Sequence, residues 1–137
     1  MLHQASAVAI GEQALLIEGP PGSGKSSLAL ALIDRGAMLI GDDGVSLAGA
    51  DGRILASPAP AIAGLLEVRN VGLLQYPVAE RVRVALVLRL DREAERLPDG
   101  PASVELLGCR VPLVRLWPDS PVLPLRAMAA LSRFGLD

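Results

Sequence analysis

The sequence predicts an α/β fold in which one phosphate-binding loop unit is joined to a mixed, β-rich sheet with few helices. Two observations carry this. Residues 19–26 read Gly-Pro-Pro-Gly-Ser-Gly-Lys-Ser and lie between an apolar strand pattern and a helical one. After that helix the chain offers short strand-like runs punctuated by glycine and proline, not regular strand–helix alternation. A chain of 137 residues has the usual size of one domain, so residues 1–137 are expected to form a single one.

The elements follow in order. Residues 5–10 and 14–18 are small or aliphatic and flank a turn at Gly11, which reads as two short strands. Residues 25–35 read as a helix: Leu28, Leu32 and Ile33 mark one face, alanines fill the gaps, and Gly36 ends it. Residues 38–41 form an apolar strand running into Asp42-Asp43. Residues 45–48 and 53–56 flank Asp51-Gly52, a hairpin signal, and Pro58 and Pro60 then interrupt regular structure. Residues 62–66 lead into Glu67-Val68-Arg69-Asn70, and residues 71–78 are apolar but contain Gly72 and Pro77. Residues 82–90 are the clearest strand. A loop at 97–102, strands at 104–107 and 111–116, and a closing helix at 123–134 complete the chain.

Composition excludes several function classes. Hydrophobic residues make up 51% and charged residues 20%, which argues against disorder. The net charge is −2 with no basic stripe, and Tyr76, Trp117 and Phe134 are the only aromatics. Neither the electrostatics nor the stacking surface of a nucleic-acid binder is present. No apolar run reaches the length of a membrane span, and the N-terminus lacks a signal-peptide pattern. The lone Cys109 suits a reducing compartment, so a cytoplasmic location is expected.

The segment Gly19, Pro20, Pro21, Gly22, Ser23, Gly24, Lys25 and Ser26 fits G-x-x-x-x-G-K-[ST]. Its glycines let backbone N–H groups turn inward around phosphate oxygens. The helix that follows presents free N–H groups and its positive end to the anion. Lys25, the only lysine, would reach the β- and γ-phosphates, and the Ser26 hydroxyl suits Mg²⁺.

Such a loop does not specify a reaction without acidic groups for a metal and a proton. Two apolar runs end in aspartate, at Asp42-Asp43 and at Asp91. Asp91 opens a charged stretch that reads as a solvated turn. Asp42 and Asp43 follow the return strand, whose end faces the phosphate side in an open sheet. Neighbours on an extended segment point opposite ways, so one aspartate would face Mg²⁺ and the other an acceptor. The bland reading is a paired-aspartate turn. Glu67 and Arg69 would share a strand face inside an apolar setting, either as a salt bridge or as a metal ligand with a phosphate-binding arginine. His3, at the terminus, reads from the residues alone as exposed.

Taken together, these pieces resemble the catalytic domain of the bifunctional HPr kinase/phosphorylase family, a P-loop kinase of the PEP-carboxykinase-like type. The matching text is His3-Gln4-Ala5-Ser6, the loop from Gly19 to Ser26, Leu28-Ala29-Leu30 with Asp34-Arg35-Gly36-Ala37, Asp42-Asp43, and Leu66-Glu67-Val68-Arg69-Asn70-Val71-Gly72. The resemblance implies an ATP-dependent serine kinase acting on HPr or a related phosphocarrier protein, with Mg²⁺. By the same resemblance, Lys25 contacts phosphate, Ser26 and Glu67 hold the metal, and Asp43 takes the acceptor's proton. His3 looks like the family's histidine ahead of the loop, and Arg96 like the arginine after its central strand. The family tends to form hexamers, so a homo-oligomer is expected.

The chain departs from the family at three points. It begins almost at the histidine, so a short form without the family's N-terminal domain is expected. Asn70 replaces a glycine of the signature. Residues 115–120 carry Asp119 where a second arginine would help bind phosphate, which weakens the expectation of phosphorylase activity. Two other readings remain: a small-molecule P-loop kinase with residues 92–96 as its lid, and a nucleotide-sensing module without turnover.

Overall fold

The computed structural model describes all of residues 1–137. Its elements are β1 (Leu2–His3), β2 (Ser6–Ile10), β3 (Gln13–Glu18), α1 (Lys25–Asp34), β4 (Met38–Gly41), β5 (Val45–Ala50) and β6 (Arg53–Pro58). After a 3₁₀ turn at Pro60–Ile62 come β7 (Leu65–Val68), β8 (Gly72–Gln75), β9 (Val82–Leu90), β10 (Ala102–Leu106), β11 (Cys109–Leu116) and α2 (Leu123–Phe134). The expected mixed, β-rich sheet with few helices is what forms.

Nine strands pair in the order β1-β5-β6-β9-β3-β2-β4, with β10 and β11 branching from β9. β3 runs parallel along β9 from Arg83 to Arg89. The other edge of β9 is shared: β6 pairs antiparallel with Val82 and Arg83, and β11 pairs parallel with residues 87–90. β1 stands at one end of the strand order, yet only Gln4 and Ala5 separate it from β2 near the other end. The sheet therefore curls back on itself.

The curl divides the apolar residues into two cores, and the alternation of side chains along each strand decides which residue enters which. Leu15 and Ile17 of β3 face the helices, together with Leu86 and Leu88 of β9, Leu28 and Leu32 of α1, and Ala127 and Leu131 of α2. Ala14 and Leu16 face the inside of the curl with Ala7, Ala9, Val84 and Val87. A register shift between Ala14 and Leu15 against β9 marks a bulge in this central pair.

β4 is antiparallel to β2, and β2 is antiparallel to β3, so β3, β4, β9 and β11 all end at the same rim. The phosphate loop, Asp42 and Asp91 follow three of these ends. No helix is long and apolar enough to cross a membrane.

Most expected elements occur within one or two residues of their expected bounds. Three expectations are corrected. His3 is not a loose terminus: β1 pairs with Ser46 and Val45 of β5. Residues 71–78 supply only the short β8, all four residues of which are exposed. Glu67 and Arg69 do not sit in an apolar setting. Leu66 is the residue that points into the core, Glu67 is exposed on the opposite face of β7, and Arg69 lies beyond the strand end, also exposed.

Candidate active site

The phosphate loop hangs between the end of β3 and the start of α1. Gly22 and Gly24 have φ of 79° and 104°, the left-handed region that glycine enters without Cβ strain. Gly24 caps α1, so the free N–H groups of the first turn point into the loop. Lys25 folds back within it: its Nζ donates to the carbonyl oxygens of Gly19 at 2.8 Å and Pro20 at 3.3 Å.

Asp42 is the buried acid of the site, 7% exposed. Its carboxylate accepts from Ser26 Oγ at 2.7 Å, Ser6 Oγ at 2.9 Å and the Glu67 backbone N–H at 3.1 Å. These donors offset the cost of burying a charge. They also tie β2, α1 and β7 to the end of β4. Asp43 differs from its neighbour. It adopts a left-handed φ of 61° and is exposed. The preceding Gly41 permits this tight turn, because a Cβ there would stand 2.6 Å from the Gly44 carbonyl oxygen and 2.8 Å from a Val45 methyl.

A cleft of about 400 Å³ on the β4 side of the loop brings together Lys25, Ser26, Asp42, Asp43, Glu67 and Arg69. It does not include His3 or Arg96. His3 lies on a second, larger cleft of about 670 Å³, on the β9 side of the loop, which Gly19, Pro20 and Ser23 also line. There its Nε2 is 2.7 Å from Glu18 Oε2, and Arg89 donates to Glu18 Oε1 at 2.8 and 3.3 Å. Arg96 lines a separate cavity with Trp117 and Arg126. Asp119 pairs with Arg92 at 2.6 Å, and its hydrogen bond and charge raise the guanidinium pKa further.

Sequence reasoning missed Ser6, Glu18 and Arg89. Ser6 had a signal, as the one hydroxyl in an aliphatic strand. Glu18 had one too, as a charge closing the apolar strand directly before the loop.

No three histidine, cysteine, aspartate or glutamate side chains converge to hold a metal by themselves. The β4-side cleft does offer Ser26, Asp42 and Glu67 as oxygen donors beside a phosphate cradle. That donor set fits Mg²⁺, which binds through few protein oxygens and completes its shell with phosphate and water.

Comparison with known proteins accords with this geometry. The family described as HPr Serine kinase C-terminal domain matches residues 2–131. The HPr kinase/phosphorylase of Caldicellulosiruptor bescii is 34% identical over 134 residues, covering 88% of this chain and 42% of that protein. That of Acidovorax sp. (strain JS42) is 36% identical over 116 residues, covering 74% and 36%. The chain thus spans less than half the length of these curated relatives. The solved Hpr(Ser) kinase/phosphatase of Coxiella burnetii superposes with a TM-score of 0.84 at 27% identity, covering 96% of this chain and 94% of that one.

Proposed function

This chain belongs to the family of HPr serine kinase C-terminal domains, and on that premise we propose that it is an ATP-dependent kinase that phosphorylates a serine of HPr or a related phosphocarrier protein. The observation that carries the reading is the placement of an exposed aspartate, Asp43, in one cleft with Lys25 and Ser26 of the phosphate loop. Phosphoryl transfer needs a phosphate clamp, a metal contact and a group for the acceptor's proton, and this cleft offers residues for all three.

Lys25 would exchange its bonds to the Gly19 and Pro20 carbonyls for the β- and γ-phosphates. Asp43, turned outward, would take the proton of the incoming serine hydroxyl as that oxygen attacks phosphorus. Ser26 and Glu67 would hold Mg²⁺, which when bound neutralises phosphate charge. Asp42 would stand behind Ser26 and orient it from the buried side. By the resemblance, Asp119 stands where the family's loop would carry a second arginine for phosphate, and here it is paired with Arg92 instead, so the kinase reaction is proposed and not phosphorolysis.

The test is incubation with labelled ATP, Mg²⁺ and a panel of phosphocarrier proteins, with Asp43→Asn alongside. Label on a carrier serine with wild type, lost in the variant, supports the proposal. Nucleotide binding without transfer to any carrier would overturn it in favour of a sensor.

A further inference from the structure

We propose that Arg53, Arg83 and Arg110, gathered where β9 begins, form a binding site for a small phosphate anion at the rim of the sheet opposite the phosphate loop.

The site arises from the way the sheet divides. On one edge of β9, β6 pairs only with Val82 and Arg83, and β11 only with residues 87–90. Residues 84–86 have no strand partner on that edge, so the first residues of β6 and β11 stand apart there. A cavity of about 230 Å³ lies between them. β6 brings Arg53 to it, β9 brings Arg83 and β11 brings Arg110, while Gly52 and Gly108 of the two hairpin turns border it without side chains. From Arg83 to Leu90, at the phosphate-loop rim, the strand rises roughly 23 Å. The cavity is therefore separate from both clefts beside the loop.

Its charge has no counterpart. No carboxylate lines the cavity. Arg53 and Arg110 are exposed and enter no ion pair. Glu105 is the cross-strand neighbour of Arg110, and Asp51 lies two residues before Arg53, yet neither is paired with its arginine. Arg83 donates to the main-chain oxygen of Asp137 and keeps its remaining donors. At the other rim the arrangement differs: Arg89, Arg92 and Arg115 are each matched to an acid. Three like charges around one small cavity repel one another and raise a positive potential that draws an anion.

Size and shape select the anion. Organic ligands usually occupy about 300–1,000 Å³, so this cavity suits a phosphate or pyrophosphate group and not a nucleotide. Guanidinium forks bind phosphate oxygens two at a time, and three of them suit a multiply charged anion better than a monocarboxylate. The phosphate is either inorganic or carried by a small organic molecule whose remainder stays in solvent. Bound there, it would bridge β6, β9 and β11 where their backbones do not pair.

The experiment titrates inorganic pyrophosphate, and glycerol phosphate as an organic ester, into wild type, Lys25→Ala and the double variant Arg53→Gln/Arg110→Gln by calorimetry. Thermal unfolding follows the same samples, with acetate at matched ionic strength as control. Wild type should bind pyrophosphate at two sites, one lost with Lys25→Ala and the other weakened about tenfold or more in the double variant. In Lys25→Ala, pyrophosphate should raise Tm and acetate should not. Glycerol phosphate binding that depends on the same two arginines identifies an organic ester as the occupant, and its absence an inorganic one. A wild type with only the Lys25-dependent site overturns this inference and leaves the proposed function standing. Binding to Lys25→Ala that the arginine substitutions leave unchanged overturns it as well, and so does an equal rise of Tm in acetate. Both arginines are exposed at strand starts, so the double variant should fold; if it does not, Arg110→Gln alone decides.

Discussion

Asp42 and Asp43 are adjacent in sequence and opposite in situation. Asp42 is buried under its hydrogen-bond donors, while Asp43 is turned out by a left-handed backbone. Asp43→Asn keeps shape and polarity but cannot accept a proton. Transfer to serine should fall by roughly 10²–10⁴ with nucleotide affinity little changed, read by single-turnover phosphorylation and calorimetry. Glu67→Gln should raise the Mg²⁺ concentration needed for activity. Because Glu67 is exposed, its unfolding free energy should stay within about 0.5 kcal/mol of wild type in denaturant titrations. Ser6→Ala removes one donor from a buried carboxylate and should cost about 1–3 kcal/mol by the same measurement. Lys25 and Ser26 were legible in the sequence because the loop motif is local. Ser6 and Arg89 were not, because their partners lie 36 and 71 residues away in the chain and only the folded sheet brings them together.

The elements were read well wherever a repeating pattern ran long enough. β9 shows a long apolar run, α2 helical spacing and the β5–β6 hairpin a turn signal. β1 has two residues and hence no pattern to read; its pairing with β5 comes from the closure of the sheet. Glu67 was misplaced because Leu65 and Leu66 precede it and valines at 68 and 71 follow, whereas the period of two along β7 puts Leu66 and Glu67 on opposite faces. The turn after β4 depends on a residue that the pattern did not single out. Gly41→Ala would drive a Cβ against the Gly44 carbonyl, which is backbone and cannot rotate away. Such crowding should cost about 1–3 kcal/mol, seen as a lower Tm, and should weaken Mg²⁺-dependent activity by shifting Asp42 and Asp43.

For the whole molecule, strand order could not be read from the sequence, because pairings across the curl join distant segments. The curl makes its inner core as important as the helix-covered one. Leu16 is fully buried inside it, and Leu16→Ala should cost about 2–5 kcal/mol in denaturant unfolding, comparable with a leucine under the helices. The β7–β8 hairpin stands outside this arrangement as a two-stranded sheet of its own. Leu66 is its one fully buried side chain, and the Glu67 N–H ties it to Asp42. A lone hairpin is marginal in water, so this one should open locally far more often than β9, which is paired along both edges. Deuterium uptake should then be fastest at residues 65–75 and slowest in β9. Because Glu67 rides on that hairpin, filling the loop with nucleotide and Mg²⁺ should slow uptake there, so that the rate of amide labelling over one short ribbon reports occupancy of the site.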